Sequence, residues 1–313
     1  MRVLISILML PLLVGGCDGG SEAEFTVRPF EPLGVEAVCY GPHRDGQGPD
    51  GPHPSVAELR EDLHLIASHW GLMRIYGATG PAEDILQIIH EDQLPLKVML
   101  GIWIAPDAAR ANQDEISAGI GLAEAFPDIV TAVCVGNETQ VSWSAHVSPL
   151  EDLIRHVRQV REAVTVPVTV ADDYNYWNKP ESQTLSPELD FITMHAHPLW
   201  NGLQLEQSVT WLDEQVTDIK SRHPDRLVVL GETGWATMVH NEGEQARLIK
   251  GAFGEAEQKV FFDEARAWAR ASKVTMFFFE VFDENWKGGP HPDEVEKHWG
   301  LYHADRTPKA ALR

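Results

Sequence analysis

The sequence predicts a single (β/α)8 TIM barrel, on three observations. Eight short apolar runs alternate with amphipathic stretches along the 313 residues. Several of these runs are unbroken Val, Ile, Leu, Phe and Met, as expected of parallel strands that are covered on both faces. A chain of this length suits one α/β barrel. No G-x-G-x-x-G follows the first strand, which disfavours an open dinucleotide-binding sheet.

The strands are predicted from the apolar runs and the helices from the stretches between them. In order, the predicted strands are 34–40, 72–77, 96–103, 129–136, 167–171, 191–195, 227–232 and 274–280. Ser55 and Glu58 predict a capping box at the start of the first helix. Ser148, Pro149 and Glu151 predict a second capping box before the helix that follows strand four.

The net charge of the chain limits the kinds of molecule that it is expected to bind. The formal net charge is −22, which argues against binding to nucleic acid and against docking on anionic lipid through a basic patch. The acidity favours a neutral or cationic substrate. We expect the barrel to be a monomer.

The N-terminus predicts export and a lipid anchor. Residues 1–16 combine Arg2 with an apolar core that is short for a bilayer span. The following "VGGC" resembles the lipobox of bacterial lipoproteins, in which the cysteine, here Cys17, is lipidated. An ordinary secretory signal that is cleaved near Gly16 is the alternative. We therefore expect a flexible tether over 17–31, a catalytic barrel over 32–313, and a lipid-anchored protein of the bacterial cell envelope.

The remaining cysteines, Cys39 and Cys134, lie in apolar runs. This placement favours buried free thiols over a disulfide. No CxxC, HExxH or Walker pattern is present, so the sequence predicts neither a metal nor a cofactor.

Two glutamates close predicted strands beside a glycine. Glu138 ends "VCVGNET" after strand four, and Glu232 ends "LVVLGET" after strand seven. Active sites of these barrels lie at the carboxyl ends of the strands, and strands four and seven face each other across the barrel mouth. A pair of carboxylates is what glycoside hydrolysis requires. The alternative is that each glutamate caps a helix or forms an ion pair at the rim.

The motifs around these glutamates resemble glycoside hydrolase family 17, the β-1,3-glucanase and licheninase family of retaining (β/α)8 glycosidases. The resemblance rests on "GNE" and "ETGW", and extends to "GVEAVCYG", "MRIYG", "FDENWK" and "EKHWGLYHADRTPK". Plant members of the family have tyrosines where this chain has His195 and His197. The resemblance implies cleavage of β-glucan, most simply β-1,3-linked, with retention. A transglycosylase that uses the same glutamates is the alternative, and a non-catalytic glycan-binding lipoprotein is a third.

The residues and the resemblance together assign roles. Glu232 is the predicted nucleophile and Glu138 the predicted acid/base. Arg74 is predicted to keep Glu232 charged, or else to form an ion pair in the core. Asn137 is predicted to bind the 2-hydroxyl of the sugar. The predicted substrate-binding set is Tyr40, Arg74, Tyr76, Asn137, His195, Trp200, Glu284, Trp286 and Lys287.

Further residues are predicted to support these. Glu284 and Lys287 are predicted to tune proton affinity beside the catalytic pair, and Glu296 either does the same or forms a surface ion pair. His197 is a further candidate donor to sugar hydroxyls. Tryptophans that follow strand endings are predicted to stack on sugar rings. They are Trp103, Trp143, Trp177, Trp200, Trp235, Trp286 and Trp299. For Trp235, packing in the core is the alternative. The other three, Trp70, Trp211 and Trp268, lie in helical patterns and are predicted to pack in the core.

Overall fold

The computed structural model describes residues 25–32 and 34–313. The predicted signal segment, Cys17 and the first part of the predicted tether lie outside the described residues. Within this part of the chain, no helix is both long enough and apolar enough to cross a membrane.

Eight parallel strands form a closed barrel in chain order, with β1 hydrogen-bonded to both β2 and β8. The strands are β1 Glu36–Cys39, β2 Leu72–Ile75, β3 Lys97–Ile102, β4 Val130–Asn137, β5 Val168–Asp173, β6 Phe191–His195, β7 Leu227–Thr233 and β8 Met276–Phe278. Each one overlaps a predicted strand. The predicted (β/α)8 barrel is confirmed, and the carboxyl ends of all eight strands meet at one face.

The helices surround the barrel, although two of the connections are irregular. The helices are α1 Val56–Ala67, α2 Ala82–Glu91, α3 Ala109–Ala125, α4 Leu150–Ala163, α5 Tyr174–Trp177, α6 Ser182–Leu185, α7 Leu205–Arg222, α8 Gly243–Leu248 and α9 Glu255–Ser272. Between β5 and β6 the chain forms the short helices α5 and α6 and the 3₁₀ turn Ser186–Glu188. Pro180 separates α5 from α6, because proline disfavours the helical conformation at the preceding residue. After β8 the described chain forms two short 3₁₀ turns, Val295–Lys297 and Ala310–Leu312, and no longer helix.

One of the two predicted capping boxes forms. The Ser55 N–H donates to Glu58 Oε2 at 2.7 Å, and the Glu58 N–H donates to Ser55 Oγ at 3.3 Å. The prediction at Ser148 is wrong. Its hydroxyl donates to the His146 carbonyl at 3.1 Å instead, and Pro149 occupies the cap position of α4 without a side-chain hydrogen bond.

The part of the predicted tether that the structure describes packs against the amino end of the barrel. Phe30 is 4% exposed, and its ring stacks on Phe191, with centroids 4.5 Å apart. The Arg28 N–H donates to Asp190 Oδ1 at 2.8 Å. Arg28 and Phe30, in the described part of the predicted tether, therefore contact the barrel. The apolar ring of Phe30 accounts for this contact, since it packs on Phe191 at the start of β6.

The core contains both remaining cysteines and several tryptophans. Cys39 and Cys134 are buried and unbridged, as predicted. Trp177, Trp235 and Trp299 are no more than 1% exposed. The prediction that Trp177 and Trp299 stack on sugar is therefore wrong, and Trp235 takes its alternative place in the core.

Candidate active site

Glu138 lies at the end of β4, where the backbone turns out of the strand through two left-handed positions. Gly136 has φ +82° and Glu138 has φ +50°, a region that glycine enters without steric cost. The Glu138 N–H donates to the Ala171 carbonyl at 2.9 Å, which fixes the turn. The side chain of Glu138 remains 27% exposed, so its carboxyl group can reach a ligand.

Glu232 lies near the end of β7 and is held by four side chains. Arg74 NH1 donates to its Oε1 at 2.7 Å, and the Tyr76 hydroxyl donates to the same oxygen at 3.0 Å. His195 Nε2 lies 3.4 Å from Oε1, and His197 Nε2 lies 3.5 Å from Oε2. The two donors at Oε1 leave Oε2 as the less engaged oxygen of Glu232.

The surroundings of Glu232 keep its carboxylate ionised. Burial by itself would raise the pKa of Glu232. The electrostatic interaction with His195, the hydrogen bond from His197 and the Arg74 guanidinium outweigh burial and hold that pKa well below its usual range. Arg74 is 1% exposed, so it acts on Glu232 from within the barrel and lies too deep to bind sugar directly.

The two glutamates face a common space. His195 Nδ1 lies 3.2 Å from Glu138 Oε1, while Nε2 of the same ring is close to Glu232. One imidazole therefore spans the gap between the carboxyl groups. Asn137 is half-buried beside them, and its Oδ1 accepts a hydrogen bond from Arg74 NH2 at 2.6 Å. This contact leaves the amide nitrogen of Asn137 as the donor for a ligand.

A second charged cluster lies under the end of β8. Lys287 Nζ is 2.7 Å from each oxygen of Glu280 and 2.8 Å from Glu284 Oε2. Glu284 also lies 3.3 Å from His43 Nδ1 and accepts from Trp286 Nε1 at 2.9 Å. Burial raises the pKa of Glu280, and the adjacent Glu284 carboxylate adds to that rise. Lys287 supplies the positive charge that stabilises these two buried carboxyl groups.

We expect Lys287→Met to destabilise the fold by about 3–5 kcal/mol, because removing one member of a buried charge cluster leaves the others unpaired. Glu280 and Glu284 are at most 1% exposed, so water cannot replace the ammonium group. Urea denaturation followed by circular dichroism measures the change.

Lys259→Met is the matched control for this change. Lys259 Nζ pairs with Asp263 at 3.3 Å on the surface of α9, with 43% of the lysine side chain exposed, and such pairs contribute less than about 1 kcal/mol. Equal losses in the two variants would contradict the role of Lys287.

Three residues that were predicted to bind substrate are buried and contact protein groups instead. Tyr40 is 1% exposed and its hydroxyl donates to Asp62 on α1 at 3.1 Å, because strand alternation turns it outward toward the helix layer. His195 is fully buried and contacts the two glutamates. Glu284 is fully engaged within the Lys287 cluster, so its carboxylate is not free for a sugar.

The remaining predicted residues line the barrel mouth. Trp286 is 42% exposed, and Trp200 is half-buried, with its Nε1 donating to Glu296 Oε1 at 3.2 Å. Trp143 is 59% exposed on the loop after Glu138. Tyr76 lies in the centre of the site through its bond to Glu232.

Two acidic residues that received no individual role from the sequence shape this rim. Glu115 on α3 accepts backbone N–H bonds from Ala78 at 2.8 Å and from Trp103 at 2.9 Å, so it ties together the loops after β2 and β3. Asp172 accepts the Gln140 N–H at 2.8 Å and fixes the loop beyond Glu138. Burial raises the pKa of Asp172 to about 8. The sequence signal for either residue was weak, because a single acid on a helix, such as Glu115, or at the end of a strand, such as Asp172, is ordinary.

The histidines of the site do not form a metal centre. Within residues 25–32 and 34–313, no group of three or more His, Cys, Asp or Glu side chains converges as metal ligands. The ring nitrogens of His195 face Arg74 and the two glutamates.

Comparison with known proteins places the chain in a family. The model of the BtgE/BtgC glycoside hydrolase domain matches residues 37–300. A glucan 1,3-beta-glucosidase of Arthroderma benhamiae is 29% identical over 83% of this chain and 86% of its own length. The fold is similar to an endo-laminarinase from Formosa Hel1_33_131, with TM-score 0.79 and 24% identity over 90% of this chain and 87% of that one.

A glycoside hydrolase family 17 beta-1,3-glucanosyltransferase from Rhizomucor miehei has a similar fold, with TM-score 0.72 and 21% identity over 89% of this chain and 96% of that one. The family match spans most of the barrel, including both strand-end glutamates. The chain therefore belongs to the BtgE/BtgC glycoside hydrolase domain family and is a glycoside hydrolase.

Proposed function

We propose that this glycoside hydrolase cleaves β-1,3-linked glucan with retention, with Glu232 as nucleophile and Glu138 as acid/base. The observation that carries the proposal is the pair of strand-end carboxyl groups that face one space, one ionised and buried, the other partly exposed. Two carboxyl groups that differ in this way are what the double displacement requires.

The contacts at Glu232 indicate which oxygen attacks. Arg74 and Tyr76 both donate to Oε1, so Oε2 is the oxygen that forms the bond to the anomeric carbon. As that bond forms, the glycosidic C–O bond breaks and Glu138 gives its proton to the leaving oxygen. Glu138 then takes a proton from water, whose oxygen displaces Glu232. The amide nitrogen of Asn137 donates to the 2-hydroxyl, a contact that strengthens in the transition state.

The surface of the site supports a neutral glucan. Trp143 and Trp286 expose indole faces that can stack on pyranose rings, and the net charge of −22 disfavours an anionic polysaccharide. The names of the relatives, glucan 1,3-beta-glucosidase and endo-laminarinase, support the β-1,3 linkage.

A product analysis tests this proposal. We expect purified protein to shorten laminari-oligosaccharides and to release new reducing ends with the β configuration, as seen by NMR in the first turnovers. Linear β-1,6 and β-1,2 glucans and mixed-linkage glucan are the comparison substrates. Faster cleavage of one of these than of β-1,3-glucan, or an initial α product, would contradict the proposal.

Transfer to a second sugar is the alternative that one feature favours. Trp143, on the loop that follows Glu138, is 59% exposed, and its indole can hold an acceptor ring near the acid/base. An acceptor hydroxyl would then replace water in the second step. In the same product analysis, chains longer than the substrate indicate transfer, and only shorter chains indicate hydrolysis.

We also propose that the protein is a monomeric lipoprotein of the bacterial cell envelope, anchored through Cys17. The lipobox-like "VGGC" supports the anchor. Phe30 packs on the amino end of β6, whereas the glutamates lie at the carboxyl ends of the strands. An anchor that precedes residue 25 would therefore join the barrel on the side opposite the cleft, leaving the cleft open to polysaccharide.

We expect Cys17→Ser to release the protein from membranes, because a serine at this position cannot form the lipid thioether. Membrane fractionation of bacterial cells and labelling with a radioactive fatty acid measure the change. Ser21→Ala, also in the predicted tether, is the matched control and should stay in the membrane fraction. A Cys17→Ser protein that remains equally membrane-bound would contradict the anchor. Light scattering of the released protein measures its molar mass and so tests whether it is a monomer.

A further inference from the structure

His195 occupies the space directly between the two glutamates. It ends β6, and its strand neighbours are Asp173 on β5 and Glu232 on β7. The side chain has no exposed surface, so it is enclosed on all sides by protein. Its two ring nitrogens face different catalytic carboxyl groups.

The contact with Arg74 determines where the ring proton lies. Arg74 NH1 is 3.0 Å from His195 Nε2, and a guanidinium nitrogen can only donate. Nε2 therefore accepts this bond through its lone pair, and the proton of the neutral ring lies on Nδ1. Nδ1 is 3.2 Å from Glu138 Oε1, so the ring donates to the acid/base.

We propose that His195 is the positioning residue of Glu138: its Nδ1–H holds the acid/base carboxyl group in place, while Arg74 fixes the ring from the other side. This inference rests on the proposed role of Glu138. The bond stabilises the Glu138 carboxylate that forms when the leaving group takes the proton. Arg74, which also binds Glu232, thereby links the positions of the two glutamates through one imidazole.

The close packing of Gly231 supports a fixed ring. A Cβ on Gly231 would lie 3.3 Å from His195 Cδ2 and 2.2 Å from Thr193 Cγ2, which leaves no room for a side chain. The glycine of "GETGW" is thus needed where the imidazole lies against β7. The charged and titratable groups that face the ring are Arg74 on β2, Glu138 after β4, Asp173 on β5 and Glu232 on β7.

Two amide substitutions of similar polarity test the roles of the two ring nitrogens of His195 separately. The amide nitrogen of His195→Asn is bonded to Cγ, as Nδ1 is, and can still donate to Glu138. The amide of His195→Gln is bonded through Cδ, which corresponds to the side of the ring that carries Nε2, so its oxygen can accept from Arg74 and no donor remains at the position of Nδ1. Each is assayed on a laminari-oligosaccharide, which needs a protonated leaving group, and on a dinitrophenyl β-glycoside of laminaribiose, which does not.

We expect His195→Gln to lower kcat/KM on the oligosaccharide by about 10- to 100-fold, a part of the effect of a positioned general acid. On the aryl glycoside the loss should be less than about 3-fold, and His195→Asn should retain more activity on the oligosaccharide than His195→Gln. Equal losses on both substrates, or a less active His195→Asn, would overturn the inference.

Glu138→Ala, assayed in parallel, separates this inference from the proposed function. If Glu138→Ala retains activity on the aryl glycoside and His195→Gln loses it, the role proposed for His195 is contradicted, whereas the acid/base assignment of Glu138 stands. If Glu138→Ala loses both activities equally, the acid/base assignment itself fails. If the variants do not fold, nitrogen-15 NMR of the parent chain tests the proposal by identifying which ring nitrogen of each histidine carries the proton. A spectrum without any neutral histidine protonated at Nδ1 would overturn the proposal.

Discussion

Glu232→Gln should lower kcat on β-1,3-glucan by about 10⁴-fold or more, since the amide has the shape of the carboxylate but cannot form the glycosyl-enzyme. The surrounding donors should stay in place, so KM should change little. A 2-deoxy-2-fluoro glycoside that traps the intermediate should label the parent at Glu232, as read by mass spectrometry of the digested protein.

Glu242→Gln is the control for this variant. Glu242 is an exposed carboxylate on the loop that follows β7, and its substitution should leave kcat unchanged. Because the pKa of Glu232 is held well below its usual range, this group stays ionised down to strongly acidic pH. Any fall in activity between pH 4 and pH 6 would therefore have to come from another group. A Glu232→Gln protein that cleaved glucan at the parent rate would contradict the nucleophile assignment.

Glu138→Ala should lower kcat/KM on β-1,3-glucan by about 10²–10⁴-fold, the range for loss of a positioned general acid. The deletion also removes the base of the second step, and a small anion can then enter its place. Added azide should raise kcat on an aryl glycoside and give a glycosyl azide of retained β configuration. An α-glycosyl azide, or no rescue, would contradict the assignment.

Glu296 is the rival proton donor and the matched comparison. Its pKa is raised by burial and by the Glu138 carboxylate, against the opposing charges of Lys287 and His197, and a raised pKa is what a general acid needs. Its Oε1, however, accepts from Trp200 at 3.2 Å. We expect Glu296→Gln to lower kcat/KM on β-1,3-glucan by less than about 10-fold and to show no rescue by azide. The reverse pattern would identify Glu296, rather than Glu138, as the general acid.

The sequence was sufficient for the barrel and for the positions of both glutamates. Unbroken apolar runs such as "LVVL" at 227–230 require cover on both faces, and eight apolar runs that alternate with amphipathic stretches leave few architectures. Glu138 and Glu232 could be located because strand ends in this fold all open to one face. The connections after β5 and β8 were not predicted in detail, since the prolines there interrupt the helical pattern.

Only the tertiary structure decided where the side chains around the glutamates point. Tyr40 and Trp299 follow strand endings as Tyr76 and Trp286 do, yet they are buried, and so is Phe30 in the predicted tether. The reason is that rim contacts join residues far apart in sequence: Arg74 and Glu232 are 158 positions apart. A motif therefore determines where the chain leaves a strand. The packing of residues that are distant in sequence determines which side chains face the cleft, and it places His195 between the two carboxyl groups.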